Sequence, residues 1–495
     1  MRSTLLRLMR RIFVPLLVLL ALVAAGCGSD SSGGGLETAL RYVPKDAPLV
    51  VAVDTDPKGK QWKQVEKLLG KFPFGGQVKQ QLKARFEASS SVDYDKDVKP
   101  LLGNDFVFAI TSATGLREGA KTAYLVAWKV KDVDTAERLV KKGETKVGSA
   151  SGADIYRSAD GSGFTAIDGS TIVSAQGEDA LKAALKRSDG DHMSESDFEN
   201  ALGDLPNDSL VRVTGDLEAI LAGNPGATSA RQVKWIAALR TFGYVITAEK
   251  DGISTAFDLK TDSDGLTDAD LPIAAGDEAP PVVRRAGEIG FGFRDLTHGN
   301  DFFTKVLKAS DPAGYSRYLG LRARVLKQFG IKDVSELTDQ LTGNATVSVA
   351  LYSQFGLRSD LRDPAAARTT FKKLASGLAK RTHGTLSTVA VGGDRLYKVV
   401  ASGGTLVLGV VGKSLIAAPN EERAQQIAVQ SPSKVAGAKG SIVMVSDARA
   451  LANAIAQQQG RGTAAQIVTG ALGDLVGWVS ISTSDLEGKL KLQIK

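Results

Sequence analysis

The sequence predicts an α+β fold with largely antiparallel sheet and packed helices, built as two tandem pseudo-repeats, and three observations predict it. Short apolar runs follow one another through turns that can join antiparallel neighbours but are too short for the crossover a parallel pair requires. The last run alternates, Leu490, Leu492 and Ile494 against Lys489, Lys491, Gln493 and Lys495, which marks a strand with one wet face. A set of strand and turn motifs also occurs twice in the same order.

In the first copy, Pro48 to Val53 reads as a buried strand ending at Asp54. Asp56-Pro57 then supplies a cap and first turn for a helix with Trp62, Val65, Leu69 and Phe72 on one face and Lys60, Lys63, Lys67 and Lys71 on the other. Val78, Leu82 and Phe86 predict a second helix, and Phe106 to Thr111 and Thr122 to Val130 predict strands. A helix from Val133 to Lys142 precedes three short strands, Ile155 to Arg157, Phe164 to Ile167 and Thr171 to Ser174. The last two flank Asp168-Gly169, a hairpin signal because a tight primed turn needs positive φ. Helices over Glu178 to Lys186 and Leu217 to Leu221, a strand over Ser209 to Thr214, and a hairpin of Tyr244 to Ala248 with Ile253 to Lys260 complete the copy.

Residues 262–283 are rich in Asp, Ala, Gly and Pro without periodicity and read as a linker. Beyond it, Leu341-Thr342-Gly343-Asn344 echoes Leu101-Leu102-Gly103-Asn104, and Arg395 to Lys398 echoes Asp154 to Arg157. Gly412 to Ile416 echoes Gly169 to Val173, and Ser441 to Asp447 echoes Ser209 to Asp216. The expected organisation is therefore 1–26, 27–35, a first repeat over 36–261, the linker 262–283 and a second repeat over 284–495.

The two N-terminal segments set location. Arg2, Arg7, Arg10 and Arg11 precede an apolar stretch from Ile12 to Val23, and the small residues Ala24, Ala25 and Gly26 lead to Cys27, the sole cysteine. This pattern resembles a bacterial lipoprotein signal, which implies cleavage between Gly26 and Cys27 and acylation (palmitate or a similar chain) of Cys27. The apolar stretch is short for a bilayer span and has no basic stop-transfer flank. Gly28 to Gly35 contains no apolar side chain and reads as a flexible tether. With a single cysteine, intrachain disulfides and thiolate zinc sites are excluded. The formal charge is +7 for the whole chain, and removal of the four arginines before Cys27, where no acid stands, leaves +3. So small a balance gives no reason to expect a nucleic-acid partner.

Tyr42-Val43-Pro44, Pro48 to Val53, Asp54-Thr55-Asp56-Pro57, Trp62 and Val98-Lys99-Pro100-Leu101-Leu102-Gly103 together resemble the bacterial family catalogued as domain of unknown function 3352. The resemblance implies an envelope protein of unsettled role and supplies no catalytic residues.

His192, His298 and His383 stand far apart in polar or glycine-containing contexts and read as loop histidines, not a ligand set. Gly412-Lys413-Ser414 lacks the earlier glycine of a phosphate loop, and no Gly-x-Ser-x-Gly elbow exists. Asp54, Asp56 and Gly59 match three calcium-loop positions, but Lys58 and Val65 replace later ligands. Asp262-Ser263-Asp264-Gly265 with Asp268 and Asp270 reads as a solvated acidic loop. The expectation is a lipid-anchored protein on the extracytoplasmic face of the cell membrane, without metal, cofactor or catalytic residues. It binds or scaffolds an envelope protein or small ligand; solute binding, lipid carriage and envelope hydrolysis are the alternatives.

Overall fold

The computed structural model describes residues 34–73, 75–90, 92–114, 123–224, 227–284, 287–341, 343–350, 354–458 and 469–495. Gly26 and Cys27, with the rest of the signal and most of the tether, lie outside the described residues. The chain divides into two compact units, the first drawn from residues up to Thr228, Leu239–Lys260 and Ile494–Lys495, the second from Ser229–Ala238 and Thr261–Gln493.

The first unit contains α1 (Gly35–Leu40), β1 (Leu49–Val53), α2 (Lys60–Gly70), α3 (Gly75–Ser90), β2 (Phe106–Ile110), β3 (Tyr124–Lys129) and α4 (Val133–Gly143). It continues through β4 (Glu144–Ala150), β5 (Ala153–Ser158), β6 (Phe164–Asp168), β7 (Thr171–Ala175), α5 (Glu178–Arg187), α6 (Glu195–Leu202), β8 (Val211–Asp216), α7 (Leu217–Ala222), β9 (Leu239–Glu249) and β10 (Gly252–Thr261). The sheet runs β4-β5-β6-β7-β3-β2-β1-β8-β9-β10. Its pairs from β4 to β9 are antiparallel, as the short connections require. Gly169, at φ +60, lets Asp168 face Thr171 across the β6–β7 turn. The core covers one sheet face: Val50 and Ala52 of β1, Val107 and Ala109 of β2, Leu181 and Leu185 of α5 and Phe198 of α6 are all buried.

The second unit contains α8 (Lys234–Ala238), β11 (Glu288–Arg294), α9 (Leu296–Ser310), α10 (Pro312–Gln328), α11 (Ser335–Thr338), β12 (Asn344–Ala350), β13 (Gln354–Asp360) and α12 (Pro364–Arg381). After these come β14 (Thr385–Val391), β15 (Asp394–Ala401), β16 (Gly404–Val411), β17 (Ser414–Ala418), α13 (Glu421–Val429), β18 (Ile442–Asp447), α14 (Ala448–Gln458), β19 (Leu472–Ile481) and β20 (Asp485–Ile494). Its order is β14-β15-β16-β17-β13-β12-β11-β18-β19-β20. Adding ten to each strand number of the first unit reproduces this order. Gly412-Lys413 is the β16–β17 turn, with Val411 opposite Ser414.

Residues 262–283 differ from the expected linker, because they pack into the second unit. Leu271 and Val283 are fully buried, and Val282 exchanges backbone bonds of 2.9 and 3.0 Å with Ser433. The cause lies in β11, where the core-facing positions are Gly290 and Gly292. A Cβ on Gly290 would stand 2.6 Å from Val282 Cγ1 and from the Val283 carbonyl, and one on Gly292 would stand 2.9 Å from the Pro280 carbonyl. The segment therefore lies directly on the backbone of β11, and its apolar residues supply the side chains the strand lacks.

A buried ion pair also marks this unit. Arg423 of α13 is 2% exposed and donates to both oxygens of Glu288, at 2.8 and 2.7 Å, and to Ser348 Oγ at 2.8 Å. Ser348 in turn donates to Glu288. Two charges withdrawn from water are tolerated when each finds the other bidentately. Arg423→Ala leaves a buried carboxylate uncompensated and should cost the second unit about 3–5 kcal/mol in urea denaturation. The double variant Glu288→Leu with Arg423→Met should recover most of that loss.

Candidate functional site

The motifs that looked most specific in the sequence converge on one acidic pocket of the first unit. Its cavity of about 310 Å³ is lined by Gly34, Gly35, Leu36, Asp54, Asp56, Gly59, Lys60, Gly103, Asn104, Asp105, Glu195 and Asp208. Three loops meet there, and local hydrogen bonding explains how.

Strand β1 stops at Val53 because the next side chains bond their own backbone. Asp54 Oδ1 accepts the Asp56 N–H at 2.8 Å and Asp56 Oδ1 accepts the Lys58 N–H at 3.2 Å. Helix α2 consequently begins later than expected, at Lys60, with Gly59 at its cap and no side-chain cap bond. Asp56-Pro57 thus forms the approach turn, not the cap. The loop is pinned from behind by Trp62, 1% exposed, whose indole N–H donates 2.8 Å to the Asp54 carbonyl. Thr55 is buried and joins the second loop, donating to the Asn104 carbonyl and accepting the Gly103 N–H at 3.4 Å. The third loop enters through Asp208, whose carboxylate meets Lys60 Nζ at 2.7 Å. Its carbonyl accepts from Gln61 Nε2 at 2.9 Å, while Gln61 Oε1 accepts the Ala248 N–H at 2.8 Å.

The charge on the pocket wall is unbalanced. Arg212 of β8 is buried, pairs with Asp105 and lies 6.0 Å from the centroid of the Phe198 ring. Burial pushes Asp105 up from the ordinary carboxylate range, against the pull of Arg212. Burial likewise raises Asp54 to about 7, with Asp105 and Asp56 adding repulsion while the Asp56 N–H and Arg212 oppose it. Glu195 is raised by burial and then by Glu199 and Asp105. The pocket thus holds a proton near neutrality. In the second unit the same two strands put Val443 opposite Gly292, where the first unit sets Arg212 opposite Ala52.

Gln61, Asp105, Glu195 and Arg212 escaped the sequence reading, and Thr55 stood in a motif without a role. Arg212 carried a signal, as a lone charge inside the apolar run from Leu210 to Val213; the others needed the fold. The remaining predicted groups stay dispersed. His192 Nδ1 bonds the Gly190 carbonyl at 2.8 Å and His298 Nε2 the Leu271 carbonyl at 2.9 Å, while His383 sits at φ +50 after α12. In the acidic loop, Asp262 accepts the Asp264 N–H at 3.2 Å and Asp270 accepts from the Thr267 hydroxyl at 2.8 Å. Among the described residues no group of three or more His, Cys, Asp or Glu has a geometry for a metal ion.

Comparison with known proteins agrees with the sequence resemblance. Residues 12–256 match the model of the family described as Protein of unknown function (DUF3352). The chain resembles that domain across β1, the pocket and most of the remaining first unit, and residues beyond 256 lie outside the match. No curated protein matches the chain. Solved structures of TP0453 are similar to part of it: crystal form III at 11% identity and TM-score 0.27, covering 48% of this chain and 84% of that one. Form I aligns at 13% identity and TM-score 0.27, covering 46% and 81%. Form IV aligns at 10% identity and TM-score 0.26, covering 45% and 80%.

The raised Asp54 has a thermodynamic consequence. Its folded pKa of about 7 exceeds an unfolded value near 3.9, so the folded state holds the extra proton between them. The stability it contributes is full below about pH 4 and is lost as pH rises through about 7. Asp54→Asn keeps the acceptor for the Asp56 N–H but carries no charge. It should stabilise the first unit by at most roughly 4 kcal/mol at pH 8 and change little at pH 4, read from urea midpoints at the two pH values.

Proposed function

We propose that the chain is a membrane-anchored lipoprotein of the extracytoplasmic face, acylated at Cys27, that binds or scaffolds a component of the cell envelope and is not an enzyme. The observation that carries this reading is the N-terminal order of features: four arginines, an apolar stretch, Ala24-Ala25-Gly26-Cys27 and a polar run. Helix α1, beginning at Gly35, agrees with a tether that ends there. No helix among the described residues is long and apolar enough to cross a membrane.

A binding role is supported by the character of the pocket. Asp54 and Asp56 each spend an oxygen on the backbone, and no histidine lies among the residues that line the cavity. A nucleophile with an adjacent base, as covalent catalysis needs, is not assembled there. The common strand order of the two units supports descent from one duplicated unit. The acidic pocket suits a small cationic ligand or a basic segment of an envelope protein better than an anion.

Cys27→Ala tests the anchor. The variant should lose all labelling by a fatty-acid analogue and keep its signal segment, running as the longer unprocessed chain, whereas wild type labels and is shortened at Cys27. Labelling that persists in the variant contradicts the assignment.

A further inference from the structure

Helices α9 and α10 of the second unit form a hairpin in which neither helix has a buried residue. By contrast, α2 of the first unit buries Trp62 and Leu68. The inner side of α9 rests on its own unit: Phe302 meets Trp235 edge-on at 6.0 Å, and Lys305 Nζ reaches the Ala269 carbonyl at 2.5 Å. Helix α10 lies against α9, where Phe303 meets Tyr318 edge-on at 6.3 Å. Beyond that contact, Phe303 remains 54% exposed and Leu321 56% exposed. Leu321 follows Tyr318 by three residues and shares its helix face. Phe303, Tyr318 and Leu321 therefore make one continuous apolar patch.

Cations flank the patch, with Arg317 four residues before Leu321 and Arg324 three after it on the same helix face, while Lys305 turns inward to Ala269. Lys305, Lys308, Arg317, Arg322, Arg324 and Lys327 stand against only Asp301 and Asp311 between Leu296 and Gln328. The Arg322 guanidinium lies 5.6 Å from the Tyr318 ring centroid, and Asp311 is occupied with the Gly314 N–H at 2.7 Å and Arg317 at 3.7 Å. An excess of four positive charges on this hairpin exceeds the +3 carried by the whole chain after residue 26.

We infer that this hairpin lies on an anionic lipid surface, inserting Phe303 and Leu321 between headgroups while its basic residues meet the phosphates. Exposed aromatic and aliphatic residues flanked by Lys and Arg are the composition of an interfacial helix, and anionic leaflets attract such clusters. A protein partner fits less well, because interface cores are depleted of charge and of lysine. A second copy is disfavoured because it would set two positive faces against each other.

The inference does not rest on acylation, so the chain from Gly28 onward, which lacks both the apolar signal stretch and the acylated cysteine, is tested with Phe303→Trp as a local reporter. Vesicles are phosphatidylcholine alone, or with about one third phosphatidylglycerol, each with and without brominated acyl chains. The introduced tryptophan, taken as the difference from the parent chain, should shift to the blue and be quenched by brominated anionic vesicles. Arg317→Glu with Arg324→Glu should weaken that binding by roughly tenfold or more, and Leu321→Asp should reduce the quenching. Three results overturn the inference: no binding to either vesicle, flotation of the chain with an unquenched reporter, or quenching indifferent to anionic lipid and to charge reversal. Concentration-dependent self-association abolished by Leu321→Asp, without quenching, assigns the face to a second copy instead. Because fatty-acid labelling at Cys27 is read separately, failure of the anchor and failure of the hairpin remain distinguishable.

Discussion

Each unit is built on one strand that must be paired along both sides. In the first, Leu49–Val53 is apolar throughout and lies between β2 and β8, so its backbone groups are satisfied only if strands distant in sequence arrive in register. Everything between Val53 and Val211 has to be arranged to let β8 return. The meander from β3 to β7 fills that interval on the other side of β2, and α5 and α6 fold over the face that Val50 and Ala52 present. In the second unit Glu288–Arg294 lies likewise between β12 and β18. There the two core-facing glycines hand their packing role to Val282 and Val283, which binds the preceding segment to the sheet.

On this common frame the two units place their buried charge differently. The first sets Arg212 and Asp105 beside the far end of its central strand, next to the pocket. The second sets Glu288 at the near end of its central strand, closed over by Arg423 and Ser348. A buried pair is expensive to assemble and worse to break, so each restricts what its unit can exchange. In the second pair Arg423 spends its two terminal nitrogens on Glu288 and Ser348, its Nε has no hydrogen-bond partner among the described residues, and the pair behaves as structure. The first opens on a cavity with further carboxylates, among them Asp54, raised to about 7 by burial.

Much of the frame was legible in the residues, because period-two runs bounded by Gly and Asp turns specify hairpins without tertiary help. Phe164 to Ala175 and the closing strand with Leu490, Leu492 and Ile494 are of this kind. What escaped was whatever tertiary contact decides. Strand β4, Glu144–Ala150, is an edge whose residues are mostly exposed, so its sequence carries polar residues and no apolar alternation. Helix α6 has only Phe198 and Leu202 buried and depends on the capping box of Ser194 with Asp197, a weaker signal than a Glu would give. The segment 262–283 looked like a linker because its few apolar residues answer to glycines elsewhere in the chain. At the site, the turn residues Asp54 and Asp56 were visible, but the convergence of Asp105, Glu195 and Arg212 follows from strand order and from no local pattern.

The claim that the central strands organise both units is tested most directly by native-state hydrogen exchange on the full chain, resolved to single amides. The backbone N–H groups of Val50–Val53 and of Ile289–Phe293, paired on both sides, should exchange slowest and with the free energy of global opening of their own unit. The edge strands Glu144–Ala150 and Thr385–Val391 should exchange faster, by local opening. Central amides that exchange as fast as those edges, or edge amides that outlast them, would contradict the account.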